Sequence, residues 1–223
     1  MGCNFTATLP CNSIMLVTKP FKIISTIFER VFPRRESHRI VASLSGSDTL
    51  RCYQKVTRDG FIALSSYKEP SIKALIKEAK FHGNEKAWTL LSLLLDRFFS
   101  EVKSQAVLIP IPLSKERQKK RKYNQVTEIL KPSLKKCPNL RLRSDILYRL
   151  RDTKPQTSLK NKEERIRNIE NAFGVRDNKS NDVVDADIIL VDDVATTGAT
   201  LKAARAALEP LQPKSIKCIA FAH

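Results

Sequence analysis

The sequence predicts an α/β fold, a mostly parallel sheet flanked by helices. Two observations carry that reading. Short apolar runs of buried-strand type alternate with helical periodicities through the C-terminal half, the signature of strand-helix-strand units. The chain is also of the right size: 223 residues with 42% apolar content suit one packed domain with a small appendage. No apolar run reaches the roughly 18–20 residues that a membrane helix needs. With 6 Gly and 11 Pro, the composition is neither collagen-like nor of low complexity.

Taken in order, residues 1–60 read as an N-terminal extension and 61–223 as the main domain. In the extension, Ile23, Ile24, Ile27, Phe28, Val31 and Phe32 recur at helical spacing before Pro33, and Gly46–Leu50 reads as a loop. Asp59-Gly60 signals a turn ahead of the β-rich run Phe61–Tyr67. Pro70 opens a helix whose apolar face is Ile72, Leu75, Ile76 and Ala79, and Gly83-Asn84 break it. Glu85–Val102 carries Trp88, Leu91, Leu95, Phe98 and Phe99 around most of its circumference, so it is expected to be buried on more than one side. Ala106–Pro112 is a strand stopped by two prolines, Ser114–Lys131 a basic helical stretch, and Ile146–Leu150 a further strand. Arg151–Asn171 is polar and lacks a strand period, which reads as a long loop. Ala186–Val191, Thr200–Leu208 and Ser215–Ala222 close the chain as strand, helix and strand.

The charge is strongly basic. Forty Lys and Arg against 23 Asp and Glu give +17, and residues 101–170 alone hold 19 basic against 8 acidic side chains. A concentrated cationic field favours a polyanionic partner, be it a phosphorylated metabolite or a nucleic acid, although a solvated face produces the same count. The five cysteines are scattered without a C-x-x-C pair, which argues against zinc and redox modules and for reduced thiols. Ser13–Val17 is too brief an apolar core for a secretory signal, so a cytoplasmic location is expected.

The segment richest in chemistry is Ile188-Ile-Leu-Val-Asp192-Asp193-Val-Ala-Thr196-Thr197-Gly198-Ala199-Thr200. An apolar strand runs into two carboxylates, then into a turn of small residues that opens a helix. Ligands of open α/β sheets sit at such strand ends. The turn supplies backbone N–H groups, three hydroxyls and a positive helix terminus, a cradle for phosphate. Two acids beside a phosphate must contact something other than the phosphate; sugar hydroxyls, or a magnesium ion bridging them, meet that need.

This segment resembles the 5-phosphoribosyl-1-pyrophosphate (PRPP) motif of the type I phosphoribosyltransferases. The resemblance implies that Asp192 and Asp193 hold the ribose hydroxyls, that Thr196, Thr197, Gly198, Ala199 and Thr200 hold the 5′-phosphate, and that Mg²⁺ accompanies PRPP without a protein-only metal site. Ile109-Pro-Ile-Pro112 with Arg117, Arg121, Tyr123, Asn124 and Gln125 is similar to an element of the ComF-like competence proteins. So is Arg151-x-Thr153-x-x-Gln156-x-x-Leu159, followed by Arg165, Asn168, Ala172 and Phe173. Tyr67–Phe81 also looks like that family's helix ahead of the transferase core, and together these segments cover roughly residues 60–223.

The chain departs from the family twice. Its relatives begin with a four-cysteine zinc module, whereas Phe32-Pro-Arg-Arg-Glu-Ser-His38 lacks the ligands; no zinc is expected, and His38 is read as an exposed surface residue. The family's Gly ahead of Tyr123 is Lys122 here. Under the resemblance, Lys115, Arg117 and Arg121 are candidates for the pyrophosphate, and Arg151, Thr153, Gln156 and Arg165 for a lid that excludes water from an oxocarbenium-like state. The run Lys115–Lys122, with Lys119, Lys120, Arg121, Lys122 and Tyr123, is the competing candidate for single-stranded DNA. Six-oxopurine transferases carry an Asp where this chain has Thr196, so hypoxanthine or guanine salvage is not expected. The leading reading is PRPP binding with transfer to an unknown acceptor. The alternative is a non-catalytic PRPP- and DNA-binding factor in DNA uptake.

Overall fold

The computed structural model describes residues 35–150, 172–176 and 181–223. The helix read around Ile23–Phe32 and the lid candidates Arg151, Thr153, Gln156 and Arg165 lie outside the described residues. Glu36–His223 form one compact unit.

Helix α1 spans Glu36–Ser43 and α2 spans Gly46–Arg51. The second of these corrects the loop expected at Gly46–Leu50. Ser45 caps it reciprocally: its Oγ accepts the Asp48 N–H at 3.2 Å, and Asp48 Oδ2 accepts the Ser45 N–H at 3.0 Å. His38, expected on the surface, is half-buried on α1. Strands β1 (Val56–Arg58) and β2 (Phe61–Ala63) form a hairpin. Its turn residues Asp59 and Gly60 both take positive φ, 45° and 85°, as a two-residue hairpin turn requires.

Helix α3 (Pro70–Phe81) starts on its proline and buries Ile72, Leu75, Ile76 and Ala79. Helix α4 (Glu85–Phe99) is capped by Asn84, whose side chain accepts the Ala87 N–H, and buries both faces as its pattern implied. The wholly buried Glu78 ties α1 to this corner, accepting from Ser37 Oγ at 2.7 Å and Asn84 Nδ2 at 3.2 Å; a buried carboxylate persists only when its oxygens are satisfied in this way.

Strand β3 is Ala106–Pro110. The single helix expected over 114–131 is two, α5 (Lys115–Arg121) and α6 (Gln125–Leu134). Lys122 adopts the left-handed conformation, φ 65°, and ends α5. That conformation explains why relatives place glycine there: Lys holds it against its Cβ. Strands β4 (Leu140–Leu142), β5 (Leu147–Arg149), β6 (Phe173–Val175) and β7 (Asp187–Val194), helix α7 (Ala199–Leu208) and β8 (Ser215–Ala222) complete the described chain.

The main sheet has the order β1-β2-β8-β7-β3-β4. Every pairing from β2 to β4 is parallel, and β1 is an antiparallel edge. β5 and β6 pair antiparallel as a separate ribbon. Strand alternation divides the core. Ile189 and Val191 of β7 pack with Leu75, Leu91 and Ile129 of α3, α4 and α6. Ile188 and Leu190 face the other way, with Ile146, Phe173, Leu201 and Ala204. The fold is thus the mixed α/β sheet, mostly parallel and flanked by helices, that the sequence predicts.

Candidate functional site

The C-terminal ends of β3, β7 and β8 lie side by side. Pro110 pairs with Val191, and the ladder runs on as Ile111 N–H donates to the Val191 carbonyl at 2.9 Å. Asp192 pairs with Ala220 and Val194 with Ala222, so both acids stand on the last residues of a central strand. The alternation that sorts the β7 core also sorts the acids.

Asp193 points to the side of Ile189 and Val191, and is 8% exposed. Its Oδ1 takes the Lys80 ammonium at 2.9 Å and the Val194 N–H at 2.6 Å. Its Oδ2 accepts from Gln125 Nε2. Gln125, itself 2% exposed, turns its Oε1 to Arg121 Nη1 at 2.9 Å. A chain of Lys80, Asp193, Gln125 and Arg121 therefore joins α3, β7, α6 and the end of α5.

Asp192 points the other way and stays half-buried. Its Oδ1 accepts the Asp193 N–H at 2.8 Å. Burial, and then the like charge of Asp193, push its carboxyl up to about 7, with Lys80 and Arg149 acting against that rise. Arg149, on the β5–β6 ribbon, donates from Nε to the Pro112 carbonyl at 3.0 Å and lies over the Phe173 ring. The ribbon thereby fastens its basic end to the β3 terminus.

After β7 the chain turns through Ala195–Gly198 into α7. Ala195 N–H is held by the Ala222 carbonyl at 3.0 Å. Gly198 has φ 67°, and a Cβ there would lie 2.7 Å from Phe61 Cδ1; only glycine meets both demands. The Ala199 N–H approaches Thr197 Oγ1 at 3.4 Å, and the first amides of α7 face the turn, as they do at any helix start. Thr196, Thr197 and Gly198 thus form a compact turn soon after the acids, and Ala199 and Thr200 open α7.

The basic candidates divide. Lys115, Arg117, Lys119 and Lys120 are exposed on α5, which buries none of its residues, and Ser114 caps that helix by accepting the Arg117 N–H at 3.3 Å. Arg121 is half-buried, stacked at 4.9 Å on Phe81 and bonded to Gln125. Tyr123 works inside the fold. Its hydroxyl donates to the Ala79 carbonyl at 3.1 Å and accepts the Gly83 N–H at 2.8 Å, while its ring meets Trp88 edge-on. Asn124 Nδ2 donates to the Ile111 carbonyl at 2.9 Å, locking α6 to the β3 end.

Sequence reasoning assigned no role to Lys80, Gln125 or Arg149. Among the described residues, no cluster of three or more His, Cys, Asp or Glu could hold a metal, and no helix is long and apolar enough to cross a membrane.

A parallel sheet with an acid pair and a Thr/Gly turn at one strand end defines the class: the chain belongs to the phosphoribosyl transferase domain family, whose model matches residues 97–223. Within that class it is ComF-like. It is 32% identical over 156 residues to Competence protein F of Haemophilus influenzae, covering 66% of each chain. It is 36% identical over 148 residues to Competence protein ComFC of Bacillus subtilis, covering 65% of this chain and 57% of that one. The matches therefore span less than two thirds of either relative's length. Among solved structures, a hypoxanthine phosphoribosyltransferase from Staphylococcus aureus is similar, with a TM-score of 0.38 and 13% identity over 61% of this chain and 63% of that one.

Proposed function

We propose that this chain binds PRPP at the C-terminal edge of β3 and β7 and transfers its phosphoribosyl group to an acceptor. The observation that carries this is the placement of Asp192 beside the Thr196–Thr200 turn. The turn offers amides and hydroxyls to the 5′-phosphate, and the Asp192 carboxylate offers an acceptor to the ribose hydroxyls next to it. Lys115 and Arg117, beyond the β3 terminus, are the side chains suited to the pyrophosphate that departs. Departure of pyrophosphate leaves positive charge on the anomeric carbon, and the anionic end of β7 stabilises it.

The described residues do not compose a Mg²⁺ site, because Asp193 is already engaged by Lys80 and Gln125. Magnesium that accompanies PRPP would be held by the oxygens of the diphosphate itself, and no step here is routed through it.

The test is release of pyrophosphate from PRPP by the full chain, against a panel of nucleobases and amines. One acceptor that accelerates release supports transfer; none across the panel reduces the reading to PRPP binding alone.

A second reading is favoured by the exposed residues of α5. Five basic side chains, Lys115, Arg117, Lys119, Lys120 and Lys122, are exposed within eight residues, an arrangement suited to the phosphates of single-stranded DNA. Arg121 and Tyr123 do not belong to that surface, since both are engaged within the fold.

A further inference from the structure

Adjacent residues of a strand face opposite ways, and at the end of β7 this gives the two acids different surroundings. Asp193 is buried against α3 and α6 with three donors on its two oxygens: Lys80 Nζ at 2.9 Å, the Val194 N–H at 2.6 Å, and Gln125 Nε2. Gln125 cannot turn its amide around freely, because Arg121 Nη1 holds its Oε1 at 2.9 Å. Asp192 is half-buried on the side of Arg149, and among the described residues it accepts one hydrogen bond, from the Asp193 N–H.

We infer that the acid pair is divided: Lys80 is a positioning residue that holds Asp193 as an internal anchor, leaving Asp192 as the carboxylate that meets the sugar. The inference rests on the PRPP reading above and deepens it.

The physical case is one of satisfied valence and matched burial. The Lys80 and Asp193 side chains are 19% and 12% exposed, so each charge relies on the other. A carboxylate with both oxygens occupied has little left to offer a hydroxyl without losing an existing partner. Asp192, half-buried and accepting one hydrogen bond among the described residues, has capacity to spare. Freed from Lys80, Asp193 would present uncompensated negative charge close to a ligand that carries several negative charges of its own. Lys80 therefore protects binding without touching the ligand.

The test uses the full chain and measures both PRPP affinity by calorimetry and thermal melting for wild type, Asp192→Asn, Asp193→Asn, Lys80→Met, and the double variant Lys80→Met/Asp193→Asn. Asp192→Asn is expected to cost at least about tenfold more affinity than Asp193→Asn. Lys80→Met is expected to melt lower and bind about tenfold or more weakly, because it strands a buried anion. The double variant removes that anion and is expected to recover most of both losses, a rescue that a merely space-filling role for Lys80 would not give. Equal losses from the two single Asn variants, or a double variant no better than Lys80→Met, would overturn the division. Wild type that fails to bind PRPP overturns the proposed function instead; the melting arm then decides the Lys80–Asp193 anchor, and absence of recovery in the double variant rejects it.

Discussion

Gly198 and Phe61 meet across the sheet end: the position a Cβ would take on Gly198 lies 2.7 Å from Phe61 Cδ1 and 3.0 Å from its Cε1. Phe61 is buried on β2 and backs the turn that follows the acids, so turn geometry and core packing are one feature. Gly198→Ala is therefore expected to destabilise the fold by about 2–3 kcal/mol, combining left-handed strain with overpacking. Urea denaturation of the two proteins checks this, and a variant within about 0.5 kcal/mol of wild type would contradict the packing argument.

Lys122 poses the opposite case. It carries a left-handed φ of 65° on an exposed residue whose N–H donates to the Gln118 carbonyl at 2.8 Å. Lys122→Gly keeps that bond and removes the Cβ penalty, so stability is expected to rise by about 1 kcal/mol. A lower melting temperature in the variant would show that the side chain contributes more than its backbone costs.

Asp192 gives a pH signature with a definite sign. Its carboxyl stands near 7 in the folded chain against an ordinary value of 3.8, so the folded state binds more protons than the unfolded one in between. Stability is fullest below about pH 4 for this group and falls as pH rises towards 7. Asp192→Asn removes the charge and is expected to melt higher than wild type at pH 8, with the difference shrinking as pH falls and closing below about pH 4. Binding runs the other way, since the ribose hydroxyls need the ionised acceptor. Wild-type PRPP affinity is expected to be about tenfold weaker at pH 6 than at pH 8, and Asp192→Asn should lose the part of that dependence owed to the carboxyl. Parallel pH profiles for the two proteins would sink the assignment.

The exposed basic residues of α5 separate from Arg121 in the same manner. Lys119→Ala/Lys120→Ala is expected to leave melting within about 0.5 kcal/mol of wild type while lowering the salt slope of single-stranded DNA binding by about 1–2. Arg121→Ala removes the stack on Phe81 and the bond to Gln125, and should cost about 1–2 kcal/mol of stability. Fluorescence titration over a range of salt reads the first, thermal melting the second.

What could be read from the sequence was what local chemistry dictates. The start of α3 on Pro70, the turn at Asp59-Gly60 and the strand Ser215–Ala222 each carry their own signal. α2 has no apolar period to betray it; its available mark was the capping pair Ser45 and Asp48. The break between α5 and α6 was hidden because lysine stands where glycine would have announced a left-handed residue.

At the site, the acids and the turn were legible because they are contiguous. The division between Asp192 and Asp193 was not, since it depends on which helix covers each face of β7. Lys80 left one faint trace: it stands four residues after Ile76, on the stripe that α3 turns inward, where a charge needs a partner. Gln125 and Arg149 gain their roles only from tertiary neighbours.

The most direct test of the central claim is a calorimetric titration of the full chain with PRPP and Mg²⁺, beside the double variant Asp192→Asn/Asp193→Asn. Wild type is expected to bind saturably, and the variant, still melting cooperatively, to lose at least about a hundredfold in affinity. Equal affinity in the two proteins, or no heat from wild type at millimolar PRPP, would contradict the claim.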